Sequence, residues 1–155
     1  MPDSPEPSLR ARALRHLARR EHTRQELTHK LAPHAGSEEE LAAVLDEFSA
    51  KGWLSEYRAA EQIVHGKRSR YGMNRIRRDL EAKGVEEAVV EETLEGLKRS
   101  EWETLQAVWR RKFRSVPLNA AEKSKQMQFL LGRGFSSEMI QRWFRELPAV
   151  LQADE

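Results

Sequence analysis

Three apolar triplets set the rhythm of the chain: Leu41, Leu45 and Phe48; Val90, Leu94 and Leu97; Ile140, Phe144 and Leu147. Within each, positions four and then three apart share one face of an α-helix, where such neighbours lie side by side. Ten residues ahead of each triplet stands a leucine, at Leu31, Leu80 and Leu130. Between leucine and triplet a small residue keeps one shared offset, at Ala35, Gly84 and Gly134. The copies are spaced 49 and 50 residues apart, and Trp53 and Trp102 extend the match where the third copy has Gln152. Five columns aligned across three copies are the mark of an internal repeat, in which each unit buries its apolar face against the next.

Boundary residues divide each repeat into three helices. Thr23 with Glu26, Ser37 with Glu40 and Ser100 with Glu103 have the spacing of capping boxes, and Asn119 with Glu122 is a weaker case. Gly84 and Gly134 follow helical stretches and suit the left-handed residue that closes a helix. Pro33, Pro117 and Pro148 mark starts or stops. The spacing predicts helices over 9–20, 23–32 and 37–50; over 54–67, 71–83 and 86–98; and over 101–114, 119–133 and 136–147. No stretch sustains the period-two alternation of a strand. The expected fold is therefore all-α, with three tandem three-helix, helix-turn-helix-like repeats in an elongated, curved array. Its parts are a disordered segment 1–7, repeats over 8–50, 53–99 and 101–148, and a tail over 149–155.

Charge changes the picture more than overall composition does. The 155 residues are 39% hydrophobic and 34% charged with a net charge of only +2, but the signs are segregated along the chain. Bases crowd 9–30, acids fill 37–48, and bases return as Lys67, Arg68, Arg70, Arg75, Arg77, Arg78 and Lys83. Acids then fill 86–95, and Arg110, Arg111, Lys112 and Arg114 restore the positive sign. Blocks of one sign act on partners through their local field. The two later basic blocks are the binding candidates, because arginine grips phosphate or carboxylate with two parallel hydrogen bonds. A solvated helix face is the alternative for any one block. Tyr71 is expected to pack beside Gly72 at a helix start, with stacking on a base as the alternative. Trp53, Trp102, Trp109 and Phe113 are read as packing residues rather than base-stacking platforms. The acidic third helices are either solvated backs or mimics of DNA charge.

Catalysis finds little to work with. There is no cysteine, the five histidines show no pair at the four-residue spacing of a metal face, and no glycine-rich phosphate loop is present. No enzyme activity, cofactor or metal is expected. No apolar run reaches a membrane span or a secretory signal, which with the missing cysteines predicts a cytoplasmic protein; the array is expected to be monomeric, kept so by its acidic faces where these are solvated backs. The competing reading is a sequence-specific helix-turn-helix DNA-binding protein. Its recognition helices would be those at 37–50 and 86–98, which open with acids facing the phosphates they must approach.

Several ordered segments resemble the RecX family of RecA regulators. Arg19-Arg20-Glu21-His22-Thr23-Arg24-Gln25-Glu26-Leu27 is similar to the family's opening signature. Gly52-Trp53-Leu54-Ser55-Glu56-Tyr57 resembles its glycine–aromatic–Leu–Ser–Asp segment, with Glu56 in place of the usual aspartate. Arg70-Tyr71-Gly72 with Arg75-Ile76, Leu80 and Lys83-Gly84-Val85, and then Arg133-Gly134-Phe135-Ser136 with Ile140, match its later motifs. The resemblance runs from Leu9 to Leu147. It implies three three-helix repeats and binding in the groove of a RecA filament on single-stranded DNA, possible direct contact with that DNA included. Filament extension would be blocked or disassembly promoted, lowering ATPase, strand-exchange and coprotease activities.

Overall fold

The computed structural model describes residues 5–153, with side chains through Pro148. Among these residues it contains nine α-helices and no strand. In chain order they are α1 (Leu9–Arg19), α2 (Arg24–Leu31), α3 (Glu38–Ala50), α4 (Glu56–Lys67), α5 (Met73–Ala82), α6 (Glu87–Glu95), α7 (Glu101–Lys112), α8 (Ala120–Gly132) and α9 (Ser137–Ala153). Each of the first eight lies inside the span predicted for it. The ninth continues past the expected stop, so the tail expected from 149 is helical to Ala153. Pro148 lies inside α9, where its fixed φ is compatible with the helix although it removes one backbone donor and crowds the carbonyl four residues back. Of the disordered segment expected over 1–7, residues 1–4 lie outside the described residues, and 5–7 belong to no helix.

The chain forms two compact units, one holding residues up to Ile63 together with Leu80–Val90, the other Val64–Asp79 together with Glu91 onward. In unit 1 the core joins Leu9 and Ala13 of α1, Leu27 and Leu31 of α2, and Leu41, Leu45 and Phe48 of α3, with Leu54. In unit 2 it joins Leu105, Val108 and Trp109 of α7, Leu130 of α8, and Phe135, Ile140, Trp143 and Leu147 at and along α9. Each fully buried side chain of this size contributes about 1.5–3 kcal/mol. The leucine and triplet columns are core positions with one exception. Phe144 lies at the core's edge, and Trp143, fully buried, fills its place between Ile140 and Leu147. Spacings of three-then-four and four-then-three both keep to one helix face, so the triplet alone does not decide between neighbours. Trp53 departs from its expected packing role. It is 41% exposed, edge-on to Phe48 and flanked by Arg10 and Lys51.

Helix starts follow the predicted chemistry at three places and break it at one. Thr23 and Glu26 form a reciprocal capping box. Ser37 and Asn119 cap α3 and α8, but their partner acids Glu40 and Glu122 each reach one residue further back, to the amides of Gly36 and Leu118. Ser100 caps nothing; its hydroxyl donates to the Leu97 carbonyl. The acid that matters there is Glu101, which accepts from the Met73 amide at the start of α5.

That last bond belongs to a joint that occurs twice. In unit 1, Thr23 Oγ1 donates to the Lys83 carbonyl (2.6 Å), Gln25 Nε2 to the Ala82 carbonyl (3.0 Å), and the Arg24 amide to Glu56 (2.6 Å). In unit 2, the Gly72 and Asn74 amides donate to the Arg133 and Gly134 carbonyls (2.8 and 3.0 Å), and the Met73 amide to Glu101. Thr23 and Gly72 lie 49 residues apart, Lys83 and Arg133 50, so corresponding segments meet in successive repeats, through side-chain donors to the turn in unit 1 and backbone amides in unit 2. In both, the start of a second helix docks on the following repeat's glycine turn, and the acid opening that repeat's first helix takes an orphan amide. Burial pushes the carboxyls of Glu56 and Glu101 above the usual carboxylate range, against the pull of the amides they accept. Gly84 and Gly134 take φ of +79° and +96°, as their place after a helix predicts. The corresponding Ala35 closes α2 through a short 3-10 turn with an extended backbone instead.

Candidate partner-binding surface

The twelve sequence candidates divide between the two units, Lys83 in unit 1 and the other eleven in unit 2. Lys67 and Arg75 both pair with Asp79, and Arg77 pairs with Glu91 at 2.7 Å. Burial alone would raise the Asp79 carboxyl, but Lys67 and Arg75 hold it below its ordinary range. In unit 1, Lys83 pairs with Glu26 at 3.3 Å, beside Arg20 on the same carboxylate at 2.7 Å. Arg78 is exposed on α5, and Arg114 lies in the loop after α7. Arg68 is exposed too and contributes its carbonyl to the Thr104 hydroxyl.

Of the remaining candidates, Arg70, Tyr71, Arg111 and Lys112 converge in unit 2. The Arg70 and Tyr71 amides donate to the Lys67 carbonyl and end α4 there. Arg70 Nη2 donates back to the Gly66 carbonyl, and Arg111 Nη2 reaches across from α7 to the Ser69 carbonyl at 2.6 Å. The Gly72 amide then fastens this segment to the Arg133 carbonyl, bringing Arg133 beside Tyr71. Around the half-buried Tyr71 ring the guanidinium carbons of Arg75, Arg133 and Arg70 stand 4.9, 5.3 and 5.9 Å from its centre. Arg133 also lies 5.1 Å from the Phe129 ring, and Lys112 Nζ 5.7 Å from it. Phe129 is held edge-on by Phe113 at 5.4 Å.

These groups enclose a hollow of about 230 Å³ lined by Arg70, Val108, Arg111, Lys112, Phe129 and Arg133. Four cations and no carboxylate line it. Anchoring Arg111 and Arg70 to backbone carbonyls fixes their planes, leaving further N–H groups for a ligand; a fixed fork loses less freedom on gripping an oxyanion. The site suits a phosphate or carboxylate, with an aromatic wall beside it. Arg110 is exposed at the C-terminal end of α7 and does not line this hollow. Arg133 is the functional candidate the charge blocks missed. The available signal was a cation directly before the glycine in two repeats, Lys83-Gly84 and Arg133-Gly134.

Among the described residues no cluster of His, Asp or Glu is arranged to hold a metal, and no helix is long and apolar enough to cross a membrane. His22 is buried; its Nδ1 donates to the Arg20 carbonyl (3.0 Å) and its Nε2 accepts from the Lys30 ammonium (2.8 Å). The acidic faces are partly neutralised from within, Glu47 by Arg10 and Lys51, Asp46 by Arg24.

Family models described as the first, second and third three-helix domains of RecX match residues 10–48, 55–94 and 100–144. The chain belongs to the RecX family. The regulatory protein RecX of Leptothrix cholodnii is 44% identical over 141 residues, covering 91% of this chain and 90% of that one. Its counterpart from Ralstonia nicotianae is 42% identical over 144 residues, covering 93% and 91%. In fold, the crystal structure of RecX from Lactobacillus salivarius superposes with a TM-score of 0.77 at 21% identity, over 91% of this chain and 95% of that one. A second crystal structure of a regulatory protein RecX gives 0.76, over 86% and 70%. The three RecX domains coincide with helices α1–α3, α4–α6 and α7–α9.

Proposed function

We propose that this chain regulates the RecA recombinase by binding RecA filaments on single-stranded DNA as a monomer, without chemistry of its own. The filament presents phosphates, and the hollow in unit 2 meets them with Arg70, Arg111, Lys112 and Arg133. Membership of a family of regulatory proteins supports the regulatory role, and one observation carries the mode of binding. Four cations from three separate segments converge without an acid among them, while Lys67, Arg75, Arg77 and Lys83 are each paired with a carboxylate. In the cytoplasm, where RecA acts, occupancy of the filament groove blocks extension or promotes disassembly, lowering ATP hydrolysis and coprotease activity.

The test adds the purified protein to RecA on single-stranded DNA and follows ATP hydrolysis and filament length. Inhibition below one molecule per RecA protomer is expected, weakened at least tenfold by Arg111→Glu with Arg133→Glu. Unchanged hydrolysis and length at equimolar wild-type protein reject the function; inhibition that survives the double substitution rejects the site. A salt-resistant preference for one duplex sequence selected from random DNA would favour the helix-turn-helix reading instead.

A further inference from the structure

The repeat joint has an open end. In the two joints the helix-start residues Thr23 and Gly72 are buried, whereas the third such residue, Asn119, is exposed. Just before it stands Leu118, 85% exposed, with Val116 exposed as well. This apolar tip is held in place. On one side Phe113 packs on Trp109 and Phe129, and on the other the Leu118 amide donates to Glu122 (2.8 Å) while Asn119 caps α8. With the Leu118 amide satisfied at home, what this residue offers a partner is its side chain. Between 110 and 125 the sequence carries six cations and a single acid, Glu122, whose carboxylate is engaged by that amide. Beside the tip a hollow of about 330 Å³ is lined by Lys112, Arg114 and Lys125 among others.

We infer that the loop between α7 and α8 is a second docking element, placing Leu118 in an apolar recess of an acidic protein surface whose carboxylates meet Lys112, Arg114 and Lys125. Charge complementarity selects an acidic partner, and the aliphatic tip selects protein over nucleic acid, since a phosphodiester backbone offers a leucine nothing to bury against. Resting on the function proposed above, the acidic surface belongs to the RecA filament. A leucine at the centre of a cationic rim has the anatomy of an interface anchor, apolar in the middle and polar around it.

The experiment measures binding of wild type, Leu118→Ser and Leu118→Met to RecA filaments on single-stranded DNA and, separately, to the same DNA without protein. Leu118 packs on nothing that the fold needs, so thermal melts of the variants should match wild type. Leu118→Ser is expected to weaken filament binding at least tenfold, with Leu118→Met near wild type and binding to bare DNA unchanged. Filament binding unaltered by Leu118→Ser overturns the inference. So does an equal loss on bare DNA, which makes the tip a nucleic-acid contact, or a dimer of the free chain that Leu118→Ser dissolves. Failure of the wild-type chain to bind filaments at all sinks the proposed function itself, a result distinct from these.

Discussion

Replacing Gly134 by alanine tests the joint where stability and site geometry meet. At φ +96° a Cβ carries the strain of the left-handed region, about 1–2 kcal/mol. It would also stand against the Cβ of Arg75 and 2.5 Å from that residue's backbone nitrogen. A side chain can turn away, but the start of α5 has to move bodily. That movement removes the bonds from Gly72 and Asn74 to the Arg133 and Gly134 carbonyls, at about 1 kcal/mol each. The total is about 3–4 kcal/mol, a fall on the order of 10 °C in melting midpoint for a chain of this size. Gly84→Ala is the control. It has nearly the same φ, but the obstructing atoms belong to the Gln25 side chain, so its cost stays nearer about 2 kcal/mol. Circular dichroism melts and urea titrations of both variants give the comparison. If Gly134→Ala is no less stable than Gly84→Ala, the rigid docking of α5 on that turn is wrong.

Other expectations follow from the same contacts. Glu101→Ala should cost about 1–3 kcal/mol by orphaning the Met73 amide, while Glu103→Ala, on an exposed position, should change the urea midpoint little. Glu26 is raised by burial but pulled down more by Arg20, the Thr23 amide and Lys83, to about 2. A depressed carboxyl stabilises the fold above its unfolded value near 4.5 and loses that contribution as pH falls toward about 2. The stability gap between wild type and Glu26→Gln, about 2–3 kcal/mol at neutral pH, should therefore close between those values in acid titrations followed by circular dichroism. A gap independent of pH would show that the charge is not what Glu26 contributes.

The helices were legible because apolar side chains must be shielded, and shielding imposes a period that a single sequence displays. What the period left open were choices between neighbours, as at Trp143 and Phe144, and the fate of side chains whose partners come from elsewhere in the chain. Ser100 and Glu103 have the spacing of a cap, yet the neighbouring Glu101 is drawn off to the start of another helix. Spacing carries no information about that. The basic block from Lys67 to Lys83 has the same difficulty. Its cations are contiguous in sequence, but Asp79, Glu91 and Glu26 claim four of them, and each acid was visible without its destination. Arg70, Arg111, Lys112 and Arg133 come from three segments, and only the folded joint brings them to one hollow.

The two joints differ in charge at one pair of corresponding positions. Lys83 and Arg133 occupy the same place before the turn glycine, and Glu26 and Arg75, 49 residues apart, occupy the same place on the facing helix. In unit 1 the pair is Glu26 with Lys83, of opposite charge and closed. In unit 2 it is Arg75 and Arg133, of like charge, both turned onto the Tyr71 ring. One backbone joint thus serves as a staple in the first case and as a cationic surface in the second, and a single substitution should convert one into the other. Arg75→Glu places a carboxylate where it can pair with Arg133, worth at most about 1 kcal/mol at such exposure. It also exchanges the Arg75–Asp79 pair for a like-charge neighbour four residues on, costing about 0.4–1 kcal/mol in all. The melting midpoint should therefore stay within a few degrees of wild type, while binding to RecA filaments falls at least tenfold as Arg133 is drawn out of the hollow. A variant that binds filaments as wild type does would show that Arg133 is not part of the binding surface, whatever its geometry suggests.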